Sequence, residues 1–151
     1  MSPVPFFAQE HAESCVPACL RIVLASFGTL RTEAELYECC RTDIDGTFPS
    51  IAVQCAEGFG FTASAARLRD VSALLHQIDE GYTHPIVFIN LSPLMGLNVL
   101  HAVVIDTIDT NSATIQAIDP AYPPTGQRVW PQTLFVKGWQ MARGQTILVR
   151  S

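Results

Sequence analysis

The chain has 151 residues, 48% hydrophobic and 15% charged, with nine basic against 14 acidic side chains and a formal net charge of -5. That supplies apolar material for one buried core, expected as a single domain over residues 1–151, and too few charges for a disordered chain. A lone lysine, Lys137, excludes a phosphate-neutralising stripe and so argues against nucleic acid as a partner, and no apolar run approaches the roughly 20 residues of a membrane span.

In chain order, Ser2 to Glu10 carries Pro3 and Pro5 and is expected to run extended. No Lys or Arg precedes an apolar segment there, so nothing reads as a secretory signal, and the expected location is cytoplasmic, where thiols stay reduced. From Cys15 to Phe27 the apolar side chains Val16, Cys19, Leu20, Val23, Leu24 and Phe27 follow the spacing of a buried helix stripe. Ser14 stands at the N-cap position, Pro17 is tolerated in the first turn, and Gly28 supplies the stop.

A second helix is expected from Thr32, where Thr-Glu-Ala-Glu forms a capping box, until the polar loop Arg41 to Pro49 ends it. Ser50 to Gly58 and Val71 to Glu80 read as further helices, with Phe61 to Ala66 extended between them. After Pro85 the pattern changes to short β-branched runs at Ile86 to Ile89, His101 to Ile108, Ala113 to Ile118 and Thr146 to Val149. Helices followed by strands without βαβ alternation predict an α+β domain with an antiparallel sheet.

Five cysteines cannot all pair within one chain, so at least one thiol is free. Cys19, Cys39, Cys40 and Cys55 fall within helical apolar patterns and read as buried structural residues. Cys15 differs: it opens a helix, where unpaired N–H groups and the positive end of the dipole favour a thiolate.

A thiol nucleophile needs a base, and position chooses among four histidines. His11 and His76 sit among polar neighbours and read as solvated; His84 precedes Pro85 at the mouth of a strand; His101 alone opens an apolar strand. The strand from His101 and the strand ending at Ile118 flank the turn-rich Asp109-Thr110-Asn111-Ser112 and predict a hairpin. A turn centred on Thr110 places Asp119 opposite His101 on one sheet face, where its carboxylate holds the imidazole. Taken alone, His101 reads better as a strand-end histidine and Asp119 before Pro120 as a strand-terminating turn residue; only together with Cys15 do they match the logic of an activated thiol. Gln9, six residues before Cys15 on the extended lead-in, is a candidate oxyanion donor beside the Cys15 N–H, or a polar surface residue.

The cysteine spacings do not match zinc sites, Gly58-Phe59-Gly60 lacks the rest of a phosphate loop, and neither metal nor cofactor is expected.

Three blocks together, Gln9-Glu-His-Ala-Glu-Ser-Cys15-Val-Pro-Ala-Cys19-Leu20, His101-Ala-Val-Val and Ile118-Asp119-Pro120, resemble the bacteriocin-processing papain-like cysteine peptidases, which cleave leader peptides after a double glycine. The resemblance covers nearly the whole chain. It implies a papain-like fold, an N-terminal helical half carrying the Cys15 helix and a C-terminal antiparallel sheet carrying His101 and Asp119. It also implies Cys15 as nucleophile, His101 as base, Asp119 as orienting carboxylate and Gln9 as oxyanion donor, with a peptide or protein as substrate. Val16 stands where the family commonly has glycine. The chain ends at Ser151 without the membrane-spanning and nucleotide-binding parts to which many such domains are fused, so a stand-alone peptidase is expected, with any export transporter a separate chain. An acyl transferase using the same triad, and a peptide-binding module without turnover, are the competing expectations.

Overall fold

The computed structural model describes residues 4–151; Ser2 and Pro3 of the expected lead-in lie outside them. From Val4 the lead-in crosses to the first helix with no regular hydrogen-bonded structure. The elements are α1 (Cys15–Ser26), α2 (Glu33–Cys39), α3 (Pro49–Gly58), β1 (Thr62–Arg67), α4 (Val71–Asp79), β2 (Ile86–Asn90), α5 (Ser92–Met95), β3 (Leu100–Asp109), β4 (Thr114–Ile118), β5 (Gln127–Pro131), α6 (Gln132–Met141) and β6 (Gln145–Arg150). Six strands form one antiparallel sheet in the order β1-β6-β2-β3-β4-β5.

Apolar side chains fill both faces of this sheet, as the near-continuous hydrophobic runs of β2 and β3 require. Alternate residues point to opposite faces. On one side Phe88, Ala102 and Val104 pack with Leu20, Val23 and Leu24 of α1 and with Ala52 and Ala56 of α3. On the other, Val87, Ile89, Val103 and Ile105 pack with Leu74 of α4 and with Phe135 and Trp139 of α6. Each fully buried side chain of this size contributes about 1.5–3 kcal/mol. The central strands are thereby fixed from both sides, and the ends of α1 and β3 are rigid platforms.

The predicted capping box at Thr32 forms: its hydroxyl accepts from Glu35 N–H while the Glu35 carboxylate accepts from Thr32 N–H. Three elements were not anticipated: α5, β5 and α6. Strand β5 escapes periodicity because it is an edge, with Trp130 buried, Val129 exposed and Pro131 tolerated at its end. In α6 the signal is weakened by Gly138, which close packing demands: a Cβ there would lie 2.5 Å from Asn90 O of β2.

The cysteine expectations need correction. Cys39 is exposed rather than buried, and it is bonded to Cys55 in a disulfide. The expected reduced state therefore does not hold for this pair, whose Cα atoms lie 5.6 Å apart, within bridging distance. Cys15, Cys19 and Cys40 are free, and Cys19 and Cys40 are buried, as expected.

Candidate active site

Cys15 is half-buried at the start of α1. The first-turn N–H groups of a helix have no intrahelical acceptor. Ser14 occupies the expected N-cap position, but its side chain does not cap: the hydroxyl donates to His11 O at 2.9 Å and accepts from His11 N–H at 3.0 Å. The short Gln9–Ser14 loop closes on itself, and the helix mouth at Cys15 is left without a side-chain acceptor. Val16 turns its branched side chain into the core, only 3% exposed, although it borders the cleft beside the thiol. Burial raises the thiols of Cys19 and Cys40, the latter to about 12, so neither is a nucleophile at neutral pH.

His101 reaches the cleft from the start of β3. Its Nε2 lies 2.7 Å from Asp119 Oδ1, with 12% of the His101 side chain and 3% of the Asp119 side chain exposed. This pairing leaves Nδ1 as the ring nitrogen for a second partner. The strand register differs from the sequence reading. Val104 faces Ile118, so continuing the ladder sets Asp119 opposite Val103, diagonal to His101. Diagonal neighbours are still within reach of long side chains. The same-face placement depends on a bulge at Asp106: beyond it Thr107 faces Gln116, a register whose unbroken continuation would put His101 and Asp119 on opposite faces.

Electrostatics accompany this contact. Burial acts to lower the imidazole's affinity for a proton, but the hydrogen bonds and charges of Asp119 and Cys15 outweigh it and raise the His101 pKa to about 9. Burial acts to raise the Asp119 carboxyl; the hydrogen bond and charge of His101, the Ala121 N–H and Arg128 prevail and hold it below the usual range. Arg128, which sequence reasoning missed, donates from Nε to Asp119 Oδ2 at 3.3 Å and stacks its guanidinium over Tyr122, 3.6 Å from the ring centre. It lies on the unpredicted strand β5, so no pattern pointed to it.

The remaining histidines stand apart. His11 packs edge-on against Tyr37, His76 is exposed beside Glu80, and His84 bonds the carbonyl of Ile105. Among the described residues no group of three or more His, Cys, Asp or Glu is arranged to hold a metal ion.

Two cavities meet at His101, sharing Ala12 and Leu100. One, of about 200 Å³, contains Cys15 and Val16 and is walled by Phe88 and the Ile44–Thr47 loop. The other, of about 350 Å³, contains Gln9 and Asp119 and is walled by Leu91, Met95, Leu97 and Val99. The uncharged Leu91 to Leu100 stretch is therefore a wall of the groove. Gln9 does not present a free amide to the thiol: Nε2 donates to His11 O at 2.9 Å and to Ala12 O at 3.3 Å, while Oε1 is buried without a donor.

A half-buried thiol and a carboxylate-held imidazole lining one cleft are the parts of a thiol hydrolase. The sequence pattern of the Peptidase C39 family matches residues 3–150. The chain belongs to the peptidase C39 family. It is thus a cysteine-type peptidase. This C39 chain resembles the peptidase domain of Streptococcus ComA, a bi-functional ABC transporter involved in a quorum-sensing pathway, with 20% identity, 97% of this chain and 98% of that one covered, and a TM-score of 0.78. It also resembles a double glycine motif protease from an AMS/PCAT transporter in complex with the leader peptide, at 20% identity, 97% and 90% coverage and a TM-score of 0.75. A C39-like peptidase from Bacillus anthracis superposes at a TM-score of 0.78 with 15% identity over 98% and 94% of the two chains. These likenesses establish the shared fold. No curated protein matches this chain. Unlike a whole transporter, the described residues contain no helix long and apolar enough to cross a membrane.

Proposed function

We propose that this C39 peptidase cleaves a leader-peptide bond through Cys15, with His101 as general base, Asp119 as its orienting carboxylate and Gln9 as an oxyanion donor. The observation that carries this reading is the 2.7 Å bond from His101 Nε2 to a buried carboxylate, at the cleft where the Cys15 thiol opens. Asp119 fixes the ring and stabilises the imidazolium.

With the thiol proton held on His101 as a thiolate–imidazolium pair, the thiolate adds to the scissile carbonyl carbon. The resulting oxyanion lies against the Cys15 N–H at the helix mouth, and the Gln9 amide supplies the second donor by releasing Ala12 O, the longer of its two bonds at 3.3 Å. Collapse breaks the C–N bond, and the leaving amine takes the proton from His101. Water, deprotonated by His101, then hydrolyses the thioester and returns the thiol.

The apolar wall from Leu91 to Val99 and the exposed Leu100 favour a hydrophobic peptide segment next to the scissile bond. The double glycine motif protease from an AMS/PCAT transporter, of the same fold, is in complex with the leader peptide. By the same analogy, an export transporter in the cytoplasmic membrane is the partner that would receive the processed product, with the peptidase acting on the cytoplasmic side. The test is incubation of the purified protein with a synthetic leader peptide carrying a double glycine, followed by mass spectrometry. Products ending at a defined bond, absent with Cys15→Ala, are expected; equal cleavage by Cys15→Ala would overturn the assignment.

A further inference from the structure

Glu33 is a buried carboxylate that the reaction above leaves idle. It is the first residue of α2, and 2% of its surface is exposed. Both carboxylate oxygens accept from the backbone N–H of Glu10, at 3.1 and 3.0 Å, across 23 residues of sequence. Burial pushes its carboxyl up, opposed by the Glu10 N–H and the nearby Ser14 hydroxyl. A buried carboxylate is costly unless it is hydrogen-bonded, and the partner of this one is the Glu10 N–H.

What it holds is the loop that reaches the cleft. The amide next to Glu10, that of Gln9, donates to Pro120 O at 2.8 Å, beside Asp119. Two successive amides of the lead-in are therefore anchored in opposite directions, one to the turn that carries the imidazole's partner and one to α2. Between these anchors and Cys15 stand the Gln9 side chain, Ala12 in both cavities, and Ser14 closed on His11.

We infer that Glu33 is a positioning residue for peptide cleavage: through the Glu10 N–H it fixes the Gln9–Ser14 loop and so sets where the Gln9 amide stands when it releases Ala12 O for the oxyanion. The inference rests on the proposed role of Gln9. Displacement of a catalytic group by about 1 Å costs on the order of 10²-fold in rate. Glu33→Ala leaves the Glu10 N–H without its acceptor and is expected to lower kcat by about 30- to 100-fold with KM changed less than about threefold. Glu33→Gln keeps one acceptor oxygen and is expected to restore kcat to within about fivefold of the parent protein.

The deciding experiment measures leader-peptide kcat for Glu33→Ala and Glu33→Gln with Gln9 intact and again with Gln9→Ala, at temperatures well below each variant's Tm. The kcat losses are expected to shrink below about twofold when Gln9 is absent, because residues acting as one unit are non-additive. Glu33 variants that lower Tm alone, or lose as much kcat without Gln9 as with it, overturn the inference. Should Glu33→Ala not fold, Glu33→Gln in the two backgrounds still decides, since its smaller loss must likewise vanish. Failure of the underlying reading shows differently: Gln9→Ala by itself would then cleave at the parent rate.

Discussion

Cys15 and His101 face one cleft from two kinds of support. The thiol stands at a helix mouth behind a loop tied by a few hydrogen bonds: Ser14 with His11, the Glu10 N–H to both Glu33 oxygens, and the Gln9 N–H to Pro120 O. The imidazole stands on β3, with Ile89 opposite it in β2 and the β4 ladder beginning three residues on at Val104. Sheet registry holds the imidazole within a cooperative lattice, whereas the thiol's surroundings depend on a few replaceable bonds. The two sides should therefore respond differently to substitution, sharply at the reacting atoms and gradually in their supports.

The largest contrast is expected at the nucleophile. Cys15→Ala should cut kcat/KM by about 10⁴-fold or more, with the far-ultraviolet spectrum and Tm retained, because the thiol contributes little packing. Next comes Asp119→Asn, which preserves shape but removes the charge holding the imidazolium; a loss of roughly 10³-fold in kcat is expected from steady-state assays. If Asp119→Asn were silent while Cys15→Ala abolished cleavage, the sheet side would be a scaffold only.

Gly126→Ala probes the turn that joins the two sides. Gly126 adopts φ +72°, and a Cβ there would lie 2.5 Å from the Phe6 ring of the lead-in and 2.9 Å from Asp119 O. Strain and overlap together should destabilise the protein by about 2 kcal/mol in denaturant titrations. A kcat loss of about tenfold should accompany it, as the Asp119 turn and the lead-in move apart.

A smaller effect follows from protonation. The His101 pKa is raised from 6.5 to about 9, so the folded state holds this proton more tightly than the unfolded chain does. Its contribution is complete below about pH 6.5 and is lost as pH rises through about 9. Urea midpoints should fall across that window in the parent protein and stay flat in His101→Gln. A parent protein with no decline there would remove the electrostatic part of the account.

The sheet side was the more legible from sequence. Short β-branched runs on either side of the turn-rich Asp109 to Ser112 predict the hairpin, and His101 and Asp119 do meet. Direct opposition fails because the turn centres between Asn111 and Ser112 rather than on Thr110, so that Asp109 faces Thr114, and the bulge at Asp106, which carries no residue signature, then shifts the register by one residue. On the thiol side, periodicity revealed α1 and its first residue. It gave no sign of Glu33, whose acceptor role depends on a backbone N–H 23 residues away. Nor did it show that the Ser14 hydroxyl closes the loop instead of capping the helix, since either partner suits a serine. Arg128 and its edge strand escaped for the reason edges often do: only Trp130 is buried there.

If Cys15 and His101 act as one unit, the rate of Cys15 alkylation depends on both residues. The parent protein and His101→Ala would be treated with iodoacetamide at neutral pH, with the labelled cysteine identified by peptide mass spectrometry. Cys15 should be modified first in the parent protein, ahead of buried Cys19 and Cys40, and about tenfold more slowly once His101 is removed. Labelling of Cys15 at the same rate in both proteins, or preferential labelling of another cysteine, would contradict the account.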